Sequence, residues 1–381
     1  MISMDRSRPD DFLEIIHRAK RGRLKIYIGP AAGVGKTFQM LEEAHQLRKR
    51  GVDVVLGFVE THGRAETEAL LSGLESVPRK QLEYRGISID EMDLDAVLAR
   101  KPQVAVVDEL AHTNVPGSRN GKRYQDARTL LEAGINVICA VNIQHLESLN
   151  DVVEKATGVA VRETVPDSFL KEADQVVNID LSVEDLIERL KAGKIYAPEK
   201  VTEALRRFFT NENLSSLREL ALRETAESLE SARSKGDKAG AEASPVSRRV
   251  MVALSANPER ALALLRRGSR MAGRLNTDWY AVYVETPGEA PERIDAGVQR
   301  RLMENLDKAR ELGAKVVHLK EAEPAAALLD FARANGVGHL VLGRVPLSWW
   351  KRVFRRSVLL NLLEEAEDLD LHVVALGEDE E

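Results

Sequence analysis

The chain has 381 residues, of which 44% are hydrophobic and 30% are charged, proportions that exclude a wholly disordered chain and a membrane-embedded one. At roughly 150 residues per domain, this length predicts two or three domains. The 55 basic and 61 acidic residues leave a net charge of −6, so nucleic-acid binding has no global electrostatic support.

The ends and the cysteine content indicate the compartment. No apolar run approaches the roughly 18 residues that a membrane crossing needs, and the polar start Met1–Arg6 predicts no signal peptide. The single cysteine, Cys139, excludes an internal disulfide and is consistent with a reducing cytoplasm.

The first half of the chain alternates apolar runs with helix-like segments. The runs that predict strands are Leu24–Ile28, Val54–Val59, Val104–Val107 and Val137–Val141. Near-continuous apolar runs are typical of strands buried on both faces, and the intervening segments are long enough for crossover helices. The pattern predicts an α/β fold with a doubly wound parallel sheet.

A helical extension is predicted after these strands. Ser182 is a predicted helix N-cap, and further helices are predicted from Pro198 and Asn213. The first domain is therefore expected to span residues 1–230. Residues 231–247 contain almost no large apolar side chains and predict a linker.

A second series of apolar runs follows this linker. Its predicted strands are Val250–Leu254, Trp279–Val284, Lys315–Leu319, His339–Leu342 and Leu371–Leu376. They predict a second, smaller α/β domain over residues 248–377. Residues 378–381 read as a solvated acidic tail.

The sharpest motif is the glycine-rich turn GPAAGVGKT, residues 29–37, between the first predicted strand and a helix. Its predicted phosphate-contacting residues are Gly29, Ala32, Gly33, Val34, Gly35, Lys36 and Thr37, since backbone N–H groups and a helix N-terminus attract phosphate. Lys36 is expected to reach the β and γ phosphates of a nucleotide, and the Thr37 hydroxyl to hold Mg²⁺. The usual spacing has glycine where this chain has Pro30, and an ordinary strand-to-helix turn is the alternative.

The third predicted strand ends in Asp108 and Glu109. In phosphate-loop proteins this position places the first carboxylate near the metal and lets the second orient a water. Asp108 is therefore a predicted Mg²⁺ ligand with Thr37, and Glu109 a candidate catalytic base. Arg64 is a candidate contact for the γ-phosphate, with a solvated arginine at a helix start as the alternative.

Three histidines, His62, His112 and His145, each follow one of these strands. Because ligands of open α/β sheets bind beyond the carboxyl ends of the strands, all three are expected to face one crevice. Helix capping and zinc binding are the alternatives. Zinc is disfavoured because the chain has no short-spaced His or Cys pair.

Five blocks of the first domain resemble the cytoplasmic N-terminal domain of the KdpD sensor kinases, which control potassium-transport genes. The blocks are KRGRLK (20–25), VETHGR (59–64), DELAHTNVPGS (108–118), VNIQHLESLND (141–151) and RETVPD (162–167). The resemblance covers roughly residues 8–230, and the early glycine Gly29 also resembles that family's loop. It implies a P-loop domain with a helical extension that binds ATP.

The second domain resembles the universal stress protein module of the same kinases, an adenine nucleotide alpha hydrolase-like fold. Gly343, Arg344 and Ser357 look like its phosphate-binding region. Pro346 stands where a second glycine belongs and removes a backbone donor, so ATP is expected to bind more weakly here than in the first domain. The resemblance adds cyclic di-AMP as a candidate ligand.

The resemblance implies a regulatory role. The full family continues into membrane helices and a histidine kinase core, so the chain resembles a truncated form. We expect a cytoplasmic ATP-binding sensor that signals nucleotide or second-messenger state to a histidine kinase or another protein of the potassium response. The alternatives are a P-loop ATPase or small-molecule kinase, and a stress-module adaptor. The aromatic and basic stretch Ser348–Arg356 could stack on a base, touch anionic lipid or dock a partner. The alternative is an amphipathic stretch whose aromatic side chains pack inward while its cations are solvated.

Overall fold

The computed structural model describes residues 20–237, 249–254, 261–275, 277–288, 295–343, 361–363 and 369–374. These residues form two compact units. The first contains residues 20–145, 152–165 and 172–226, and the second contains residues 146–151, 166–171 and the described residues from 227 onward. Among the residues described, no helix combines the length and the apolar character that a bilayer crossing requires.

A parallel sheet lies at the centre of the first unit. The strands of this unit are β1 (Leu24–Gly29), β2 (Val54–Phe58), β3 (Glu75–Ser76), β4 (Lys80–Tyr84), β5 (Ile87–Glu91), β6 (Val104–Val107), β7 (Asn136–Asn142) and β8 (Gln175–Asn178). Six of them pair in the order β3-β2-β6-β7-β1-β8, and β4 and β5 form a separate antiparallel hairpin. The predicted parallel sheet and its four apolar strands are confirmed. The sequence did not predict β3, β8 or the hairpin, because these strands are short or largely polar.

Helices connect and extend this sheet. The helices up to residue 237 are α1 (Lys36–Lys49), α2 (Ala65–Ala69), α3 (Leu94–Arg100), α4 (Arg123–Glu132), α5 (Asn150–Thr157), α6 (Asp167–Lys171), α7 (Val183–Lys191), α8 (Pro198–Arg207) and α9 (Asn211–Asp237), of which α6 belongs to the second unit. The Ser182 hydroxyl accepts a hydrogen bond from the N–H of Asp185 at 3.0 Å, so α7 begins where the N-cap signal predicts. Because α9 runs to Asp237, residues 231–237 of the predicted linker are helical. The rest of the predicted linker lies outside the described residues.

Two hydrophobic clusters support the glycine-rich turn. One packs α1 against the sheet, with Met40, Leu41 and Ala44 fully buried. The other contains Ala31 and Val34 of the turn itself, together with apolar side chains of the helical extension; these are Val183, Leu186, Leu190, Ile195, Phe209 and Leu214. The turn and the helical extension therefore share one core, so a displacement of either one must repack the other.

The second unit is built on a five-stranded parallel sheet. Its strands are β9 (Arg249–Leu254), β10 (Trp279–Glu285), β11 (Lys315–Lys320), β12 (Val337–Gly343) and β13 (Asp370–Val374), in the order β11-β10-β9-β12-β13. Its helices include α10 (Ala261–Arg274), α11 (Ala296–Glu311) and α12 (Pro324–Asn335). Separate apolar clusters cover the two faces of the sheet. The predicted α/β fold is confirmed here as well, while residues 375–376 of the last predicted strand and the acidic tail lie outside the described residues.

Candidate functional site

A cavity of about 570 Å³ opens in the first unit beside the glycine-rich turn, a volume typical of small-molecule sites. The predicted site residues that line it are Ala32, Gly33, Gly35, Lys36, Thr37, Arg64, Asp108 and Glu109. Gly29 and Val34 belong to the same turn but are not among the lining residues; a β-carbon on Gly29 would approach Val34 Cγ2 to 2.8 Å. The structure thus brings eight of the residues predicted for this site to one cavity.

The glycine-rich turn depends on backbone angles that favour glycine. Gly33 and Gly35 have φ values of 92° and 102°, in the left-handed region where a side chain is strained. Gly35 immediately precedes α1. The turn therefore leads directly into a helix N-terminus, the arrangement that attracts phosphate.

Lys36 is buried at the first position of α1. Its Nζ donates to the carbonyl oxygen of Ala31 at 2.9 Å and to Asn142 Oδ1. Burial lowers the pKa of Lys36 to about 8; the Asp108 charge acts in the opposite direction, and the Arg64 charge adds to the lowering. Because neither hydrogen-bond acceptor is charged, an anion in the cavity would offset much of the free-energy cost of burying this ammonium.

Thr37 and Asp108 form the next feature of the site. The Thr37 hydroxyl donates to Asp108 Oδ2 at 2.9 Å, and the N–H of Glu109 donates to Asp108 Oδ1 at 2.8 Å. Burial raises the pKa of Asp108, and these hydrogen bonds oppose the rise. A hydroxyl and a carboxylate are oxygen ligands of the kind that Mg²⁺ takes alongside phosphate oxygens. The donor set therefore fits a magnesium–nucleotide complex.

Glu109 contacts an imidazole and a guanidinium group. His62 Nε2 lies 3.2 Å from Glu109 Oε1, and Arg123 lies 3.6 Å from the other carboxylate oxygen. The hydrogen bond from His62 lowers the pKa of Glu109 and raises the pKa of His62. Both residues have φ values of 52°, which is unusual for residues other than glycine. A carboxylate with a lowered pKa is a weak general base.

A buried ion pair lies behind Glu109. Arg123 is fully buried and donates to Glu91 Oε2 at 2.9 Å, while its guanidinium stacks 3.7 Å from the centre of the Phe58 ring. His112 Nε2 lies 2.9 Å from the other Glu91 oxygen. The sequence did not predict Glu91 or Arg123, because charged residues on a short strand and a helix start are usually solvated.

The three histidines line the cavity as expected, yet each has its own partner. His62 pairs with Glu109, His112 pairs with Glu91, and His145 Nδ1 lies 2.8 Å from the carbonyl oxygen of Glu163. Within the described parts of the chain, no group of three or more His, Cys, Asp or Glu side chains could hold a metal ion. The zinc alternative therefore gains no support.

Several residues of the cavity were not predicted. The helical extension contributes Arg189, Lys194, Ile195 and Tyr196, and β7 contributes Asn142. Asn142 is the last residue of the otherwise apolar strand β7, and this position at the carboxyl end of a strand could have predicted it as a site residue. The residues of the helical extension follow no strand, and nothing in their local sequence distinguishes them from solvated side chains.

The candidate site of the second unit is described only in part. Gly343 is the last residue of β12, at the carboxyl end of the strand. Arg344, Ser357 and the stretch Ser348–Arg356 lie outside the described residues. A phosphate pocket in this unit stays a prediction.

Two protein-family models match the chain. Residues 20–229 match the family described as "Osmosensitive K+ channel His kinase sensor domain" (KdpD). Residues 247–373 match the universal stress protein family.

Individual proteins are similar over most of the chain. The sensor protein KdpD of Escherichia coli K12 is 46% identical over 373 residues, which are 97% of this chain and 41% of that protein. A relative from Synechocystis sp. PCC 6803, which also carries the KdpD name, is 43% identical over 94% of this chain and 95% of its own length. This chain thus spans about two fifths of the E. coli protein. A solved universal stress protein from Archaeoglobus fulgidus is 20% identical, covers 34% of this chain and 93% of its own length, and has a TM-score of 0.26.

Proposed function

This chain belongs to the KdpD sensor family, and we propose that its first unit binds ATP with Mg²⁺ as a regulatory ligand. The observation that carries the proposal is Lys36, a buried cation in the 570 Å³ cavity whose two hydrogen-bond acceptors are both uncharged. A polyphosphate would supply the missing negative charge.

The turn and its neighbours have separate roles in this proposal. The N–H groups at Gly33 and Gly35 and the α1 N-terminus would receive the phosphates, and Lys36 would contact them with its ammonium group. Thr37 and Asp108 would hold Mg²⁺, which neutralises charge between the β and γ phosphates when bound. No step here requires a base, since binding alone is proposed.

The signal would pass to a histidine kinase or another protein of the potassium response in the cytoplasm, where ATP is available. The family model describes a sensor domain of a histidine kinase, and that description supports this choice of partner. The shared core of the turn and the helical extension offers a physical route, because a nucleotide that orders the turn also acts on the packing of Ala31 and Val34. ATP hydrolysis or phosphate transfer is the second candidate, and its base would be Glu109.

Calorimetry on the full chain, with ATP in the presence and absence of Mg²⁺, tests the proposal. Lys36→Ala should weaken ATP binding about 10- to 100-fold, since a charge-assisted contact is worth about 1.5–3 kcal/mol. Thr37→Ala and Asp108→Asn should remove mainly the increment in affinity that Mg²⁺ provides. Lys49→Ala, at the exposed end of the same helix, is the matched control and should bind as the wild type does. Unchanged ATP affinity in Lys36→Ala would contradict the proposed site.

A further inference from the structure

Two arginines of the cavity wall each have one buried N–H donor without a hydrogen-bond partner. The Nε atoms of Arg64 and Arg189 are both buried, and neither has a hydrogen-bond partner among the described residues. Arg64 is the N-cap of α2, and Arg189 lies in the last turn of α7. Two elements far apart in the chain therefore each bring one buried, unsatisfied N–H donor to the same cavity, and a buried donor without a partner is costly.

Few carboxylates of the first unit lie close enough to balance the charges of these two arginines. No carboxylate forms an ion pair with Arg64 in the part of the chain that the structure describes, and Arg189 approaches only Glu66, at 4.0 Å. Glu66 is exposed and lies closer to Lys194, at 3.1 Å. Asp108 and Glu109 are hydrogen-bonded to Thr37 and His62, and the Asp108 charge offsets part of the Arg64 charge.

The lysine of the glycine-rich turn, Lys36, lines the same cavity as Arg64 and Arg189. Burial lowers the pKa of Arg64, Tyr196 and Asp108 oppose this lowering, and the Arg189 charge adds to it. The Arg64 charge in turn contributes to the lowered pKa of Lys36. Lys36, Arg64 and Arg189 are thus close enough in one cavity for their charges to interact. The planar donor groups of the two arginines suit phosphate oxygens, so they would be available to the terminal phosphate of a polyphosphate anchored at Lys36.

We propose that Arg64 and Arg189 together bind the terminal phosphate of a nucleoside triphosphate, so that the site discriminates ATP from ADP. This inference rests on the proposed function of the first unit. It assigns Arg189, on the helical extension, a role in reading nucleotide state.

The same arginines connect this reading to the helical extension. An Arg64 NH₂ group donates to the carbonyl oxygen of Ile195 at 3.3 Å, and Ile195 lies in the core cluster of the extension. A terminal phosphate that engages Arg64 would compete with this hydrogen bond. The backbone of residues 193–197 would then respond to ATP more strongly than to ADP.

Paired titrations of the full chain with ATP and with ADP, both with Mg²⁺, test the inference. Arg189→Gln and Arg64→Gln should each weaken ATP binding about 10- to 100-fold and leave ADP binding within about threefold of wild type. Arg206→Gln is the matched control, because Arg206 is exposed in the last turn of α8 and does not line the cavity. Hydrogen exchange at residues 193–197 should differ between the ATP and ADP complexes of the wild type, and this difference should vanish in Arg189→Gln.

The outcomes separate the two proposals. If Lys36→Ala loses both nucleotides while the arginine variants lose both equally or neither, the nucleotide site stands and the terminal-phosphate role is wrong. If the wild-type chain binds neither nucleotide, both proposals fail. Arg64→Gln and Arg189→Gln change different elements, so one misfolded variant still leaves the other to decide.

Discussion

The side chain of Ile195 occupies the space beside Gly33 that any larger residue would need. A β-carbon on Gly33 would lie 2.3 Å from Ile195 Cδ1 and 2.5 Å from Cγ1. Such distances are far inside van der Waals contact, so the glycine-rich turn and the loop after α7 are in direct contact only because residue 33 has no side chain.

Gly33→Ala should therefore destabilise the first unit by more than backbone strain alone. A left-handed alanine costs about 1–2 kcal/mol, and the displacement of Ile195 adds to this cost. Chemical denaturation of the full chain measures the total. We expect a larger loss of unfolding free energy than in Gly35→Ala.

Gly35→Ala is the control for this prediction. Gly35 is also left-handed, but a β-carbon there would meet nothing within 4 Å, so only the strain is expected. In addition, Gly33→Ala and Ile195→Ala should be non-additive when combined, because the second change removes the clash. Equal losses in the two alanine variants would contradict the contact.

We expect ATP to act as a regulatory ligand and not to be hydrolysed at an enzymatic rate. Glu109 is paired with His62 and Arg123, and its pKa is lowered, so it accepts a proton poorly. An enzyme-like turnover is about 1 s⁻¹ or faster. We expect the steady-state rate of inorganic phosphate release to lie far below that value and to be the same in Glu109→Gln as in the wild type. A steady-state rate above that value which Glu109→Gln abolishes would favour the ATPase or kinase alternative.

The buried pair of Glu91 and Arg123 should make the stability of the first unit depend on pH. Burial by itself raises the pKa of Glu91, but hydrogen bonds from His112 and from the N–H of Val115 outweigh it, so the pKa lies below its ordinary value of 4.5. Glu91→Gln removes the carboxylate that Arg123 hydrogen-bonds and leaves this buried guanidinium, among the described residues, only the Glu109 carboxylate as an ion-pair partner, at 3.6 Å. At neutral pH this should cost about 3–5 kcal/mol.

The sign of the pH dependence follows from that lowered pKa. As the pH falls, Glu91 takes up a proton in the unfolded chain before it does so in the folded chain. The contribution of the ionised carboxylate to stability is therefore complete above about pH 4.5, and it is lost as the pH falls through the folded-state pKa. The free-energy gap between wild type and Glu91→Gln should be constant from pH 6 to 8 and shrink in acid. Exposed Glu83 on the neighbouring strand provides the control, and Glu83→Gln should change stability by less than about 0.5 kcal/mol. A gap that stays constant below pH 4 would contradict the assignment.

The amino-acid sequence by itself determined the two parallel sheets and the glycine-rich turn. Runs such as Val104–Val107 are apolar throughout because both faces of the strand are buried. A run of consecutive apolar residues can be recognised from the local sequence alone. The turn is equally local, since Gly33 and Gly35 supply the backbone freedom that precedes α1. Asp108 could be predicted at a strand end for the same reason, because it directly follows the apolar run Val104–Val107.

Only the tertiary structure decided which distant residues complete the site. Strand β8 is short and half-buried at the edge of its sheet, so its apolar signal was too weak to predict. Arg189 and Ile195 enter the cavity because the extension packs its apolar face on Ala31 and Val34, and Arg123 is buried because Glu91 and Phe58 surround its guanidinium. A charged side chain has the same local sequence whether it is solvated or paired, and what separates the two states is the free energy of contacts made across the fold.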